Sequence, residues 1–163
     1  PNGVIFAQDA VLRLEGTVKG RYSIGVSGSS YNGKGKVLLD NDLLYSSNPK
    51  TNPSSIDLLG IVAQNDILVT DNTDNRSSID IYASLYSQSG GFGAQNYDTR
   101  PNSGTINLYG GIQQSTRRAV GTFNSYGIVT GFNKNYMYDE RLRNSFPPNY
   151  PGTGRFQIVS WYE

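Results

Sequence analysis

The chain has 163 residues, enough for one domain with a hydrophobic core, and a net charge of +1 at pH 7. It contains neither histidine nor cysteine, which excludes a Ser-His-Asp triad, a histidine-bearing zinc site, disulfides and thiolate chemistry. Only 17% of the residues are charged, so Asn, Ser, Gly, Gln and Tyr supply the polarity, and the near-neutral charge predicts no strong attraction to nucleic acid or acidic lipid.

The first part of the chain predicts short strands over residues 4–7, 11–14 and 22–26, separated by glycine turns. Residues 5–12 are echoed by residues 61–68, with Ile-Phe-Ala-Gln in the first copy and Ile-Val-Ala-Gln in the second. The separation corresponds to roughly two coils of a solenoid. A loop over 27–35, a strand pair over 36–45 and a polar connection over 46–55 precede the main repeat.

The main repeat begins at residue 56. Ile-Asp-Leu-Leu-Gly-Ile-Val at 56–62 returns as Ile-Asp-Ile-Tyr-Ala-Ser-Leu at 79–85 and as Ile-Asn-Leu-Tyr-Gly-Gly-Ile at 106–112. Alternation with a period of two predicts the inner columns Ile56/Ile79/Ile106, Leu58/Ile81/Leu108, Gly60/Ala83/Gly110 and Val62/Leu85/Ile112. It predicts the outer columns Asp57/Asp80/Asn107 and Leu59/Tyr82/Tyr109. The pattern indicates an all-β fold, a right-handed parallel β-helix (β-solenoid) of about five coils.

The repeat decays after residue 124, so we predict a single domain over 1–163 with coils over 1–132 and an irregular C-terminal cap over 133–163. Pro147, Pro148 and Pro151 interrupt any strand ladder there, and residues 156–162 alternate like a closing strand. A cap is expected because the end of a solenoid exposes core and unpaired edges. The chain starts at Pro1 rather than Met, so we expect a processed or excised piece with any signal or anchor upstream.

Several stretches resemble a known family. They are Leu-Gly-Ile-Val-Ala-Gln-Asn at 59–65, Gly-Gly-Ile-Gln-Gln at 110–114 with Arg117, Arg118 and Val-Gly-Thr-Phe at 120–123, Tyr-Asp-Glu-Arg-Leu at 138–142 and Val-Ser-Trp-Tyr-Glu at 159–163. Together they resemble an uncharacterised bacterial β-solenoid domain of predicted surface proteins, some of which carry a pilin-like N-terminal helix. One relative resembles a minor-pilin competence factor whose solenoid is thought to touch DNA. The resemblance implies fold and location, and it supplies no catalytic residues.

Carboxylates form two candidate metal sites. Stacked coils would bring Asp57, Asp80 and Asn107 about 4.8 Å apart, which suits a Ca²⁺ ion on the wall or, alternatively, side chains splayed into solvent or paired with a Lys or Arg. Residues 71–75 have oxygen ligands near the spacing of an EF-hand but lack its Gly and distal Glu, so Asx-turns are the alternative. We therefore predict no cofactor, with Ca²⁺ as the alternative.

Tyrosine and arginine form two candidate binding surfaces. Tyr82 and Tyr109, with Tyr86 further along the strand, would make an outer aromatic ladder that binds a sugar or polymer, or that only stabilises the sheet. Arg117 and Arg118 could contact DNA phosphates. They would act with nearby residues of the same region, namely Lys134, Arg141, Arg143, Tyr126, Tyr136 and Tyr138. The alternative is that Arg141 or Arg143 pairs with a carboxylate and fixes the cap.

No enzyme is predicted, because only an Asp57/Asp80 pair could act and stacked carboxylates are too close for an inverting glycosidase. The composition and the resemblance favour a non-catalytic structural or adhesive β-solenoid of a bacterial cell-surface or pilus-like assembly, in an extracellular, surface or periplasmic location. Its expected partners are other envelope or pilus subunits, including further copies of itself, with no membrane insertion by this segment. A glycan-binding or glycan-cleaving β-helix and a DNA-binding accessory of an uptake system are the alternatives.

Overall fold

The computed structural model describes residues 2–151, and it is a β-solenoid of about five coils, as predicted. The predicted closing strand at 156–162 lies outside the described residues. Eleven strands belong to one sheet: β1 (Val4–Ala7), β2 (Val11–Val18), β3 (Arg21–Val26), β4 (Lys36–Tyr45), β5 (Leu58–Ala63), β6 (Ile67–Val69), β7 (Ile79–Ser87), β8 (Phe92–Ala94), β9 (Asn102–Gln114), β10 (Gly121–Asn124) and β11 (Gly127–Tyr138). Three 3-10 turns, Ser30–Asn32, Asp74–Arg76 and Glu140–Arg143, lie between or after them.

The strands stack in three parallel ladders, which we call walls. The first wall contains β1, β3, β5 and the C-terminal parts of β7 and β9. The second wall contains the C-terminal parts of β2 and β4, the N-terminal parts of β7 and β9, and β11. The third wall contains the N-terminal parts of β2 and β4 with β6 and β8. Only β10 and β11 pair antiparallel among the described strands.

The predicted columns between the later coils are confirmed by the register of β7 and β9. Ile79 pairs with Ile106, Ile81 with Leu108, Ala83 with Gly110 and Leu85 with Ile112. These aliphatic side chains are almost all buried in one continuous core. The echo of residues 5–12 by residues 61–68 is also confirmed at its start, because Ile5 and Ile61 both pair with Ile24 and so lie two coils apart in one column.

The predicted columns for β5 are wrong by one residue. Gly60 pairs with Ser84 rather than Ala83, and Ile61 rather than Val62 pairs with Leu85. A one-residue shift moves every side chain of a strand to the opposite face. Thus Leu59, Ile61 and Ala63 point into the core, whereas Ile56 precedes the strand and is 72% exposed. Both faces of β5 are apolar, so alternation alone did not distinguish the two registers.

Within the region predicted as an end cap, residues 139–151 run along the side of the solenoid. β11 stays paired with β9 as far as Tyr138, so the parallel stack extends beyond residue 132. Residues 139–151, which we call the strap, then run along the outer face of the first wall. Leu142 lies near Gly111 of β9, Pro147 and Tyr150 lie over Gly60 of β5, and Pro148 contacts Gly3 ahead of β1. The strap therefore connects the last coil to the first.

Candidate functional site

In the predicted metal column Asp57 is out of register with Asp80, because β5 pairs with β7 one residue away from the expected alignment. One carboxylate oxygen of Asp57 accepts a hydrogen bond from the Gly20 amide at 2.6 Å, and the other accepts one from the Ser47 amide at 2.8 Å. The residue is 3% exposed. Asp57 thus holds two backbone turns together, which uses the oxygens that a cation would require.

Asp80 and Asn107 do stack, as the repeat predicts. The Asn107 amide donates to the Asp80 carboxylate at 2.8 Å, and the Asn135 amide of the next coil donates to Asn107 Oδ1 at 2.9 Å. The carboxylate of Asp42 accepts from the Asp80 backbone amide on the other side. The column is therefore a hydrogen-bonded ladder of amides and carboxylates along the second wall.

The predicted EF-hand-like loop at 71–75 surrounds a buried arginine that sequence reasoning missed. Arg100 is 2% exposed and donates to the carbonyl of Thr70 at 3.2 Å, to Ser103 Oγ at 3.3 Å and to the Asn75 carbonyl. Its guanidinium also lies 4.4 Å from the centre of the Phe132 ring. Burial lowers the pKa of Arg100, an effect that Asp71 opposes. Thr-Arg-Pro at 99–101 carries no pattern that would announce such a residue.

The predicted aromatic ladder forms, with Tyr82 buried and Tyr109 half-buried. The rings of Tyr82 and Tyr109 are 5.6 Å apart, and Tyr45 packs against Tyr82 at the same distance. Lys50, from the connection before β5, places its ammonium 5.1 Å from the centres of both the Tyr82 and Tyr109 rings. Tyr82 is only 7% exposed, so of the two alternatives for this ladder its position suits packing within the sheet better than an open surface for a polymer. Tyr86, on the same face of β7, is half-buried.

The two adjacent arginines have different environments. Arg118 donates to the Asp66 carboxylate at 2.6 Å, while its aliphatic part lies over Gly93 of β8. Arg117 and Lys134 are both exposed to solvent, and partial burial, followed by the charge of Arg117, lowers the pKa of Lys134. Arg117 and Lys134 are therefore two exposed cationic side chains of this region, whereas Arg118 is paired with Asp66.

The predicted alternative for Arg141 and Arg143, pairing with carboxylates, is observed. The Arg141 guanidinium forms a bidentate pair with Asp139, at 2.9 Å and 2.6 Å, and donates to the Ser55 carbonyl at 2.8 Å. Asp139 is fully buried at the start of the strap. Arg143 pairs with Glu140 at 2.7 Å on the surface. The cluster anchors the strap to the connection before β5.

A polar depression remains at the corner where the first wall turns into the third. It is lined by Gln8, Asp9, Ser27, Gly28, Ser29, Ser30, Gln64, Asn65 and Ser89. Most of these side chains are exposed, and Asp9 carries the only formal charge among them. No residue predicted as a site from the sequence lines this depression. The signal that could have located it is the repeated Ala-Gln-Asp and Ala-Gln-Asn at 7–9 and 63–65.

Within residues 2–151, no cluster of three or more Asp or Glu side chains has the spacing of a metal site. The same residues contain no helix that is both long and apolar enough to cross a bilayer. Comparison with protein-family models, with curated proteins and with solved structures found no match.

Proposed function

We propose that the chain is a non-catalytic structural or adhesive β-solenoid of a bacterial cell-surface or pilus-like assembly. The observation that carries the proposal is that buried ionisable side chains are hydrogen-bonded within the protein. Three of them are buried and bonded to the backbone. Asp57 accepts from the Gly20 amide, Arg100 donates to the Asn75 carbonyl, and Asp139 accepts from the Arg141 amide. Groups engaged in this way stabilise coils and are not free to act as acids, bases or metal ligands.

The exterior supports the same proposal. Its exposed loops are built from Ser, Asn, Gly and Tyr, as at 29–33 and at 124–127, where Tyr31 and Tyr126 are each 96% exposed. This composition suits contact with other macromolecules, because tyrosine offers a large amphipathic surface at a low cost in side-chain entropy. A rigid repeat scaffold with such loops fits a role in adhesion or assembly.

Two measurements test this proposal. Antibodies against the folded domain should label intact cells of the source bacterium, and protease treatment of those cells should remove the signal. Purified domain should leave a panel of neutral and acidic polysaccharides unchanged, as read by the release of reducing ends. Labelling only after lysis, or turnover of any polysaccharide, would overturn the proposal.

A second candidate function, contact with DNA, rests on two exposed cationic side chains of the later coils, Arg117 and Lys134. Arg117→Ala and Lys134→Ala should then each weaken the binding of a single-stranded oligonucleotide at low salt. Arg143→Ala is the matched control, because it removes a surface charge that is already paired with Glu140. Unchanged mobility of the oligonucleotide with the unmodified domain would remove this candidate.

A further inference from the structure

The polar depression is bounded by a loop whose conformation is fixed by hydrogen bonds from the neighbouring coil. The loop covers residues 27–35 and contains the 3-10 turn Ser30–Asn32. The Asn65 side-chain amide donates to the carbonyls of Gly28, at 2.9 Å, and Lys34, at 2.7 Å. The Gln64 side-chain oxygen accepts from the Gly28 amide at 2.8 Å. Two neighbouring side chains of one coil thus fix both ends of this loop.

Two glycines allow the ends of the loop to meet. Gly28 has φ +149°, and a Cβ there would lie 2.5 Å from Lys34 Cβ. Gly35 has φ +69°, and a Cβ there would lie 2.6 Å from the Gly28 carbonyl oxygen. Neither position accepts a side chain without displacing backbone, so the narrow base of the loop depends on both. A loop fixed in this way loses little conformational entropy when it binds a ligand.

The chemistry of the lining favours a neutral, hydroxyl-rich ligand. The side chains that reach the solvent are amides and hydroxyls, which both donate and accept hydrogen bonds. The one charge is the Asp9 carboxylate, which accepts hydrogen bonds and would repel an anion. Asp9 has φ +48°, an uncommon conformation for a residue other than glycine, and such residues cluster at functional sites. Tyr31 follows the lining residue Ser30 in the loop and is not itself part of the lining; its exposed ring offers a surface on which a sugar that extends beyond the depression can stack.

We infer that this depression is a binding site for a neutral carbohydrate. Gln8 and the serine hydroxyls bind sugar hydroxyls, Asp9 accepts from a vicinal pair, and Tyr31 contacts an apolar face of the ring. The site rests on the adhesive form of the proposed function, since it names the class of molecule to which the domain adheres. It is separate from the Tyr82/Tyr109 ladder, which lies on the second wall and consists of aromatic rings.

The test is a titration of the ¹⁵N-labelled domain with maltotriose, mannotriose and triacetylchitotriose, with trigalacturonate as the acidic counterpart. At least one neutral probe should shift the amide signals of Gly28, Gly33 and the Gln8 side chain, with a dissociation constant of about 1 mM or below. Gln8→Ala and Tyr31→Ala should each weaken that binding about fivefold or more. Tyr126→Ala is the matched control, because Tyr126 is equally exposed on a distant loop and its removal should leave the affinity unchanged.

Three outcomes would overturn the site: no shifts with any neutral probe, shifts that Gln8→Ala and Tyr31→Ala leave intact, or shifts produced only by trigalacturonate. All three variants are on the exposed surface, so thermal unfolding should confirm that each remains folded. Labelling of intact cells tests the surface role separately. A domain that labels on cells but binds no neutral probe would overturn the carbohydrate site alone.

Discussion

Gly60 is the position where the strap constrains the solenoid wall most tightly. A Cβ at Gly60 would lie 2.3 Å from Tyr150 Cδ2, 2.9 Å from Tyr150 Cε2 and 3.0 Å from Pro147 Cβ. Carbon atoms in contact prefer about 3.5–4.0 Å, so in Gly60→Ala the tyrosine ring must retreat by roughly 1 Å or more. Overpacking of this kind costs about 1–3 kcal/mol of unfolding free energy. For a chain of this length, each kcal/mol lowers the melting temperature by about 2–4 °C.

Gly111→Ala is the matched control, because Gly111 lies in the same column of the first wall. A Cβ there would meet Ser84 Oγ at 3.5 Å and Leu142 Cδ1 at 3.7 Å, which are ordinary contacts. Its unfolding free energy should change by about 0.5 kcal/mol or less. Chemical denaturation of both variants measures the difference.

The double variant Gly60→Ala/Tyr150→Ala identifies the cause. Tyr150→Ala alone should cost about 2 kcal/mol, because it removes a ring that packs on the wall. In the double variant the new methyl group no longer meets the ring, so the combined cost should fall short of the sum by about 1 kcal/mol or more. Equal costs for Gly60→Ala and Gly111→Ala, or strict additivity in the double variant, would refute the contact between strap and wall.

Three further predictions follow from the buried polar groups. Arg100→Met should lower the free energy of unfolding by about 3 kcal/mol or more, because it leaves the carbonyls of Thr70 and Asn75 buried without their donor. The control Arg13→Met removes an exposed pair with Asp40 and should cost less than about 1 kcal/mol in the same denaturation assay. Asp57→Asn should lower the free energy of unfolding by about 1–3 kcal/mol, since an amide side chain has one acceptor oxygen for the two backbone amides that Asp57 binds. The control is Asp80→Asn, which should change it by only about 0.5 kcal/mol because the main side-chain partner of Asp80 is the Asn107 amide. Equal effects would contradict the role of Asp57 in holding two backbone turns together. Burial raises the pKa of Tyr150 to about 12, so the folded state holds the phenolic proton more tightly than the unfolded chain does. The free energy of unfolding should therefore fall as the pH rises from about 10 toward 12, and it should fall less in Tyr150→Phe. Identical alkaline profiles of the two proteins would contradict burial of the hydroxyl.

Much of the fold could be predicted because the repeat records it directly. In β7 and β9 an aliphatic residue alternates with Asp, Asn or Tyr. This alternation in the sequence predicts the pairing of Ile79 with Ile106 and the stacking of Asp80 on Asn107. The register of β5 could not be obtained in this way. Its sequence aligns with that of β7 at one offset, while its backbone pairs with β7 at another. Leu58 and Gly60 are as buried as the core residues Leu59 and Ile61, so apolar character does not distinguish the two faces of the strand.

The candidate sites were less predictable because they depend on which loop covers which wall. Tyr82 belongs to an outer column, as expected, but the connection before β5 brings Lys50 over its ring. Arg118 extends to Asp66, a residue 52 positions earlier in the chain. The polar depression likewise depends on the contact of Gln64 and Asn65 with Gly28, which joins two different coils. Local periodicity contains no information about such contacts.

The path of residues 139–151 has a consequence for how the molecule comes apart. An array of repeats held only by nearest neighbours can lose its terminal units one at a time, each with its own opening free energy. Here the strap, which follows the last described coil, contacts Gly3 and accepts a hydrogen bond from the Arg21 side chain of β3, so opening at one end removes contacts from the other. Amide protons of β1 and of β11 should therefore exchange with solvent with similar opening free energies, although the whole stack of coils separates them.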